Sequence, residues 1–112
     1  MKPISYFCDT PAIQQLEALF GSRFEQMELE DRLCIIVALT HGLSHHLQGL
    51  ESLPLDDLCV VALGQDFADF QIPQLLRQLD GELNHPQQVC QLISALAQSC
   101  AEPLSAAVFL AN

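Results

Sequence analysis

The chain has 112 residues, half of them hydrophobic, and its fourteen acidic side chains outnumber four basic ones to give a formal net charge of -10. This length and hydrophobic content suffice for a buried core, so we expect one folded domain over residues 1–112 and not a disordered chain. The charge disfavours binding to nucleic acid or to an anionic membrane surface, since both attract Lys and Arg.

No stretch of the sequence is suited to crossing a membrane or to directing export. The longest uninterrupted apolar run, Leu33 to Leu39, falls far short of the roughly 18 to 20 residues that a membrane-spanning helix needs. The N-terminal segment MKPISYFCDTP contains one Lys and no apolar stretch, which is unlike a signal peptide. The five cysteines are odd in number and form no CxxC motif, so no disulfide framework is expected. These features favour a cytoplasmic protein.

The first predicted helix covers residues 11–20. Thr10 is a typical N-cap, and Pro11 suits the first helical position because the N–H that proline lacks would have no partner there. Apolar residues then recur at helical spacing, at Ile13, Leu16, Leu19 and Phe20. Gly21 is placed to end the helix.

The longest predicted helix covers residues 28–47, with acidic residues in its first turn, where the helix dipole favours negative charge. Five apolar residues project in one direction, namely Leu29, Leu33, Ile36, Leu43 and Leu47. The opposite side carries the small residues Cys34, Ala38 and Gly42, four apart, which would let another helix approach closely. We therefore expect this helix to be flanked on both sides and to be central to the domain.

Four more helices are predicted from start and stop signals in the rest of the chain. They begin near residues 52–54, at Pro73, at residues 84–86 and at residues 102–103. The first of them ends at Gly64 and the second at Gly81, while the last continues into the apolar C-terminal segment.

Two apolar runs, residues 33–39 and 59–63, are short and partly β-branched, so periodicity alone does not separate a strand from a buried helix. Each run nevertheless lies in a longer stretch with a helical start signal. The Asp80-Gly81 pair ends a Leu-rich helical pattern and does not join two apolar runs as a hairpin turn would. We predict an all-α fold, a compact orthogonal bundle of five to six short helices around a longer central one.

His41 and His45 are the candidate metal ligands, because two imidazoles four residues apart on a helix can reach one metal ion. Cys34 lies seven residues from His41, about 10 Å along the helix axis, which is too far to share that ion. The Glu of the HExxH zinc motif is missing, and no other ligand stands at a defined spacing. No cofactor is therefore predicted.

Catalytic motifs are absent from the sequence, which lacks GxGxxG, GxxxxGK[ST] and GxSxG. We favour a non-enzymatic protein over an enzyme on this ground. The apolar C-terminal segment is a candidate interface for a protein partner or a homodimer, because both faces of so short a helix cannot be buried within a small domain. The interface residues predicted there are Leu104, Val108, Phe109 and Leu110.

The helix order, with a LPLDDL-type helix start after a long helix, resembles that of the tellurite-resistance TerB-like helical domains. The segment from His41 to His46 stands where those domains carry an aspartate-rich loop, so no family is assigned on this layout. The leading hypothesis is a non-enzymatic protein-binding module (an adaptor, chaperone or regulator) that acts through its helix faces. The alternative is a metal-binding or metal-dependent helical domain built on His41 and His45.

Overall fold

Helices are the regular elements of residues 2–104, the part of the chain that the computed structural model describes. They are α1 (Ile4–Phe7), α2 (Pro11–Phe20), α3 (Leu29–Leu47), α4 (Leu55–Asp57) with a π-helical continuation (Leu58–Ala62), α5 (Gln71–Glu82) and α6 (Pro86–Leu104). The predicted all-α fold is confirmed. None of these helices combines the length and the apolar character needed to cross a membrane.

The ends of α2 follow the predicted local signals. The Thr10 hydroxyl accepts a hydrogen bond of 3.2 Å from the backbone N–H of Ile13, as an N-cap does. Gly21 ends the helix at a φ of +98°, where a Cβ atom would meet the carboxylate of Glu25. The predicted bounds of this helix are therefore confirmed, and each is explained by its own cap.

The bounds of α3 agree with the prediction, but its apolar stripe is not its buried face. Leu33 and Leu47 are 44% and 74% exposed. The buried residues of the helix lie on its other side and include Cys34 and Ala38, with Ile35 and Leu39 beside them. The strip of small residues is thus the side that the neighbouring elements cover, and α3 packs against both α6 and α4.

Within residues 2–104 the helices contact one another in a closed ring, in the order α1, α2, α5, α4, α3 and α6, with α6 returning to α1. The core inside this ring is mainly aliphatic, and its largest fully buried side chains include Phe24, Met27, Leu76 and Leu96. Each helix therefore has two neighbours, and the outward sides of α3 and of the π-helical segment are left uncovered.

The prediction that a separate helix begins at Glu102–Pro103 is wrong, because α6 continues through Pro103 to Leu104. Proline has no N–H, so Pro103 cannot donate to the carbonyl of Ser99 four residues earlier. That carbonyl accepts a hydrogen bond of 2.9 Å from Nη1 of the buried Arg32 on α3 instead. A side chain 67 residues away in sequence thus replaces the missing helical donor.

Candidate protein-interaction groove

An open apolar groove of about 390 Å³ lies between α3 and the segment that follows α4, and we call it the α3–α4 groove. Its lining residues are Glu30, Leu33, Cys34, Val37, Leu63 and Gln65. Leu33 and Val37 stand one helical turn apart on α3, and Leu63 faces the same space from the other side. These three side chains are 41% to 49% exposed, although each is fully hydrophobic.

The second side of the groove, at Leu63 and Gln65, directly follows a π-helix, a rare conformation that occurs often at functional sites. The backbone N–H of Leu63 donates 2.9 Å to the carbonyl of Leu58, five residues earlier, in place of the usual four. The segment buries Leu58 and Cys59 in the core and exposes Val60 and Val61, the latter by 72%. The π-helical segment thus exposes two apolar side chains shortly before Leu63 in the chain.

Two buried thiols lie where α3 and the π-helical segment meet, and one of them, Cys34, also lines the groove. The Cys59 thiol contacts the carbonyl oxygen of Cys34 at 3.9 Å. Burial raises the pKa of both thiols, and the neighbouring sulfur raises that of Cys59 further. A thiol with a raised pKa is a poor nucleophile, and both cysteines belong to the hydrophobic core.

The rim of the groove is acidic. Glu30 is one of the lining residues, and Gln65 donates a hydrogen bond of 2.6 Å to Oδ1 of Asp31. Burial raises the pKa of Asp31, the Gln65 bond lowers it, and the charges of Glu28 and Glu30 raise it again, with a net increase. Acidic side chains therefore concentrate at the first turns of α3, on the edge of an apolar surface.

No basic residue lines the groove, and the four bases of the chain all have other contacts. Arg23 is buried and forms an ion pair of 2.7 Å with Glu102, while Arg32 is buried against α6. Arg77 pairs with Asp56 at 2.9 Å and with Asp57 at 3.3 Å. Lys2 lies over the ring of Tyr6, with its Nζ 3.8 Å from the ring centroid.

A second and smaller cleft of about 230 Å³ lies among α3, α4, α5 and the start of α6. Its polar side chains include His46, Asp80 and His85, and its other walls are mainly aliphatic. Burial raises the pKa of Asp80, while the backbone N–H of Leu55 lowers it. That contact ties Asp80 to the start of α4, which gives the carboxylate a structural role.

The predicted metal ligands are adjacent in the structure. The ring centroids of His41 and His45 are 4.2 Å apart, with the ring planes tilted by 51°. Within residues 2–104, no group of three or more His, Cys, Asp or Glu side chains is arranged to hold a metal ion. The two imidazoles could thus supply two ligands of a site, with the remaining ligands coming from solvent or another molecule.

Of the predicted interface at the C-terminus, only Leu104 falls in the described range, where it is half-buried at the end of α6. Val108, Phe109 and Leu110 lie outside the described residues.

Comparisons of this chain with protein-family models, with curated proteins and with solved structures found no match. Sequence reasoning missed the α3–α4 groove because it assigned Leu33 to an apolar stripe and expected α3 to be covered on both sides, whereas Leu33 and Leu47 are exposed. The available signal was Val37, an apolar residue one turn from Leu33 that lies outside the stripe.

Proposed function

We propose that this protein is a non-enzymatic, cytoplasmic protein-binding module whose binding surface is the α3–α4 groove. The observation that carries the proposal is the contiguous exposure of Leu33, Val37 and Leu63 on a molecule with a net charge of -10. Contiguous apolar patches on soluble proteins usually mark interfaces, because exposed apolar area is unfavourable in water unless a partner covers it. The five free thiols suit a reducing compartment.

The test is an affinity purification from cells that carry the gene, with three versions of the protein as bait. Leu33→Lys places a charge in the groove, and Leu19→Lys makes the same change at a site on α2 with a similar exposure of 41%. Lysine has nearly the helix propensity of leucine, so both variants should fold. We expect a partner that wild type and Leu19→Lys retain and that Leu33→Lys loses. A set of bound proteins that is identical for all three baits would contradict the proposal.

Metal binding by His41 and His45 is the second candidate function, and the 4.2 Å approach of the two rings favours it. Zinc or nickel titrated into the wild type should then bind at one equivalent and should not bind to the His41→Gln/His45→Gln variant. The matched control is His46→Gln/His85→Gln, which removes two histidines from the smaller cleft. Binding that depends equally on both pairs, or no binding at all, would remove this candidate.

A further inference from the structure

Three common modes of peptide recognition do not fit the lining of the α3–α4 groove. Addition of a strand needs a sheet edge, and residues 2–104 contain no strand. Proline-rich segments bind in grooves lined by aromatic rings, and none lines this one. Phosphorylated or acidic motifs need a cluster of Arg side chains, which this lining also lacks. An amphipathic helix laid into an apolar groove is the mode that an apolar lining along a helix fits.

The shape of the groove suits a helix. Leu33 and Val37 form an apolar ridge along the helix α3, and Leu63, directly after the π-helical segment, stands on the facing side. Side chains that recur every three to four residues on a partner helix can pack against such a helical ridge. The partner would therefore present its apolar side chains at i, i+3 or i+4, and i+7.

The charge of the groove rim indicates which charged side chains the partner helix carries on its polar face. Glu30 lies in the lining, and the bases nearest in sequence, Arg23 and Arg32, are buried elsewhere. The whole chain carries a net charge of -10, so a second copy of it would be repelled, whereas Lys and Arg beside an apolar face would be attracted.

We infer that the α3–α4 groove binds a basic amphipathic α-helix of a partner protein, with the apolar face of the helix on Leu33, Val37 and Leu63 and its Lys or Arg residues along the acidic rim. This inference rests on the proposed function and specifies the class of partner.

The experiment titrates the full chain with three synthetic peptides of about 18 residues, roughly five helical turns. One has Leu at helical spacing and Lys elsewhere, the second replaces every Lys with Glu, and the third has the composition of the first in an order without helical periodicity. Affinity is measured by fluorescence anisotropy, and the site is mapped by amide chemical shifts. We expect the first peptide to bind most tightly, with the largest shifts at residues 30–37 and 58–65.

Variants separate groove binding from general attraction to an acidic protein. Leu33→Lys should weaken binding of the Leu/Lys peptide about tenfold or more, the loss expected for part of a buried leucine plus a like charge. Leu19→Lys makes the same change in net charge and should have a much smaller effect. Glu30→Gln should weaken binding about twofold to fivefold at low salt, and Glu51→Gln, an exposed acid outside the groove, should have less effect.

Three outcomes would overturn the inference, and they bear differently on the proposed function. Tighter groove binding by the Leu/Glu peptide or by the non-helical peptide would reject a basic helix while leaving the groove as a protein-binding site. Equal weakening by Leu33→Lys and Leu19→Lys would show charge attraction without a site. If no peptide binds, the basic helix is rejected, and the bait comparison described above still decides the proposed function by itself.

Discussion

Asp31 has an almost fully buried carboxylate at the start of α3, with Gln65 as its hydrogen-bond donor. The net effect of burial and of its charged neighbours is a pKa above the ordinary value. When the folded-state pKa of an acid lies above its unfolded value, the ionised acid opposes folding at neutral pH. The folded protein then binds more protons than the unfolded chain between the two pKa values, so stability falls as the pH rises through that window.

We expect Asp31→Asn to remove this pH dependence, because asparagine keeps the acceptor for Gln65 but cannot ionise. The free energy of unfolding is measured by urea denaturation between about pH 4 and pH 7. As the pH rises, the value for the wild type should fall relative to the value for the variant. Asp66→Asn removes an exposed charge from the same region and controls for the change in net charge. A wild type that gains stability over Asp31→Asn with rising pH would show that the sign is wrong.

The cysteines give a second prediction at the level of single residues. Cys90 is exposed on α6, whereas the other four thiols are buried. Burial raises the pKa of Cys8 to about 11, with Asp9 and Glu82 contributing, and burial also raises the pKa of Cys100. In the native protein one thiol should react quickly with dithionitrobenzoate, and all five should react after unfolding. Cys90→Ser should lose the fast reaction, and a second fast thiol would contradict the described burial.

At the scale of elements, α6 shows how a long-range contact overrides a local signal. Glu102-Pro103 has the composition of a helix start, and a helix interior normally excludes proline. The helix continues because Arg32 supplies a donor to the carbonyl of Ser99 that Pro103 leaves without one. The residues around position 103 do not predict that Arg32 supplies this donor.

A double-mutant cycle tests this explanation. Arg32→Met should destabilise the protein by about 1–3 kcal/mol, because it leaves the buried Ser99 carbonyl without a partner. Pro103→Ala restores a backbone N–H, so in that background the loss should be smaller by about 1 kcal/mol. Pro86→Ala, at the first position of α6, should combine additively with Arg32→Met. The free energies of unfolding are measured by urea denaturation. If the effects of Arg32→Met and Pro103→Ala add within about 0.5 kcal/mol, Arg32 does not replace the donor that Pro103 lacks.

Local signals in the sequence were sufficient for most of the elements. Caps and glycines define α2, and acidic and proline starts locate α3, α4 and α6 within a residue or two. The sequence did not reveal α1, a single turn whose Ile4 N–H donates to the carbonyl of Ser22, because that contact comes from tertiary packing. Periodicity showed which residues of α3 share a face, but which face is covered depends on where α4 and α6 pack.

The candidate site was harder to predict for the same reason. His41 and His45 could be paired from their spacing alone, and the structure does place the two rings side by side. The α3–α4 groove needs two segments about 30 residues apart in sequence to meet, with Leu33 on α3 and Leu63 directly after the π-helical segment. No local pattern predicts that meeting.

At the scale of the whole molecule, the distribution of charge and apolar surface supports a binding function. Arg23 and Arg32 are buried and Arg77 is paired with acids, so the outer surface of residues 2–104 is strongly acidic. The closed ring of helices encloses the core, and the α3–α4 groove lies on its outer side. A basic amphipathic helix would complement both the acidic charge and the apolar surface of that side.

Site-specific crosslinking tests this central claim most directly. A photoreactive amino acid at Val37 lies in the groove, and the same amino acid at Leu19 lies outside the groove lining at a similar exposure. In cells that carry the gene, we expect the residue at position 37 to crosslink a defined partner through a basic helical segment and the residue at position 19 not to capture it. Equal capture from both positions, or capture from position 19 alone, would contradict the assignment of the groove as the binding site.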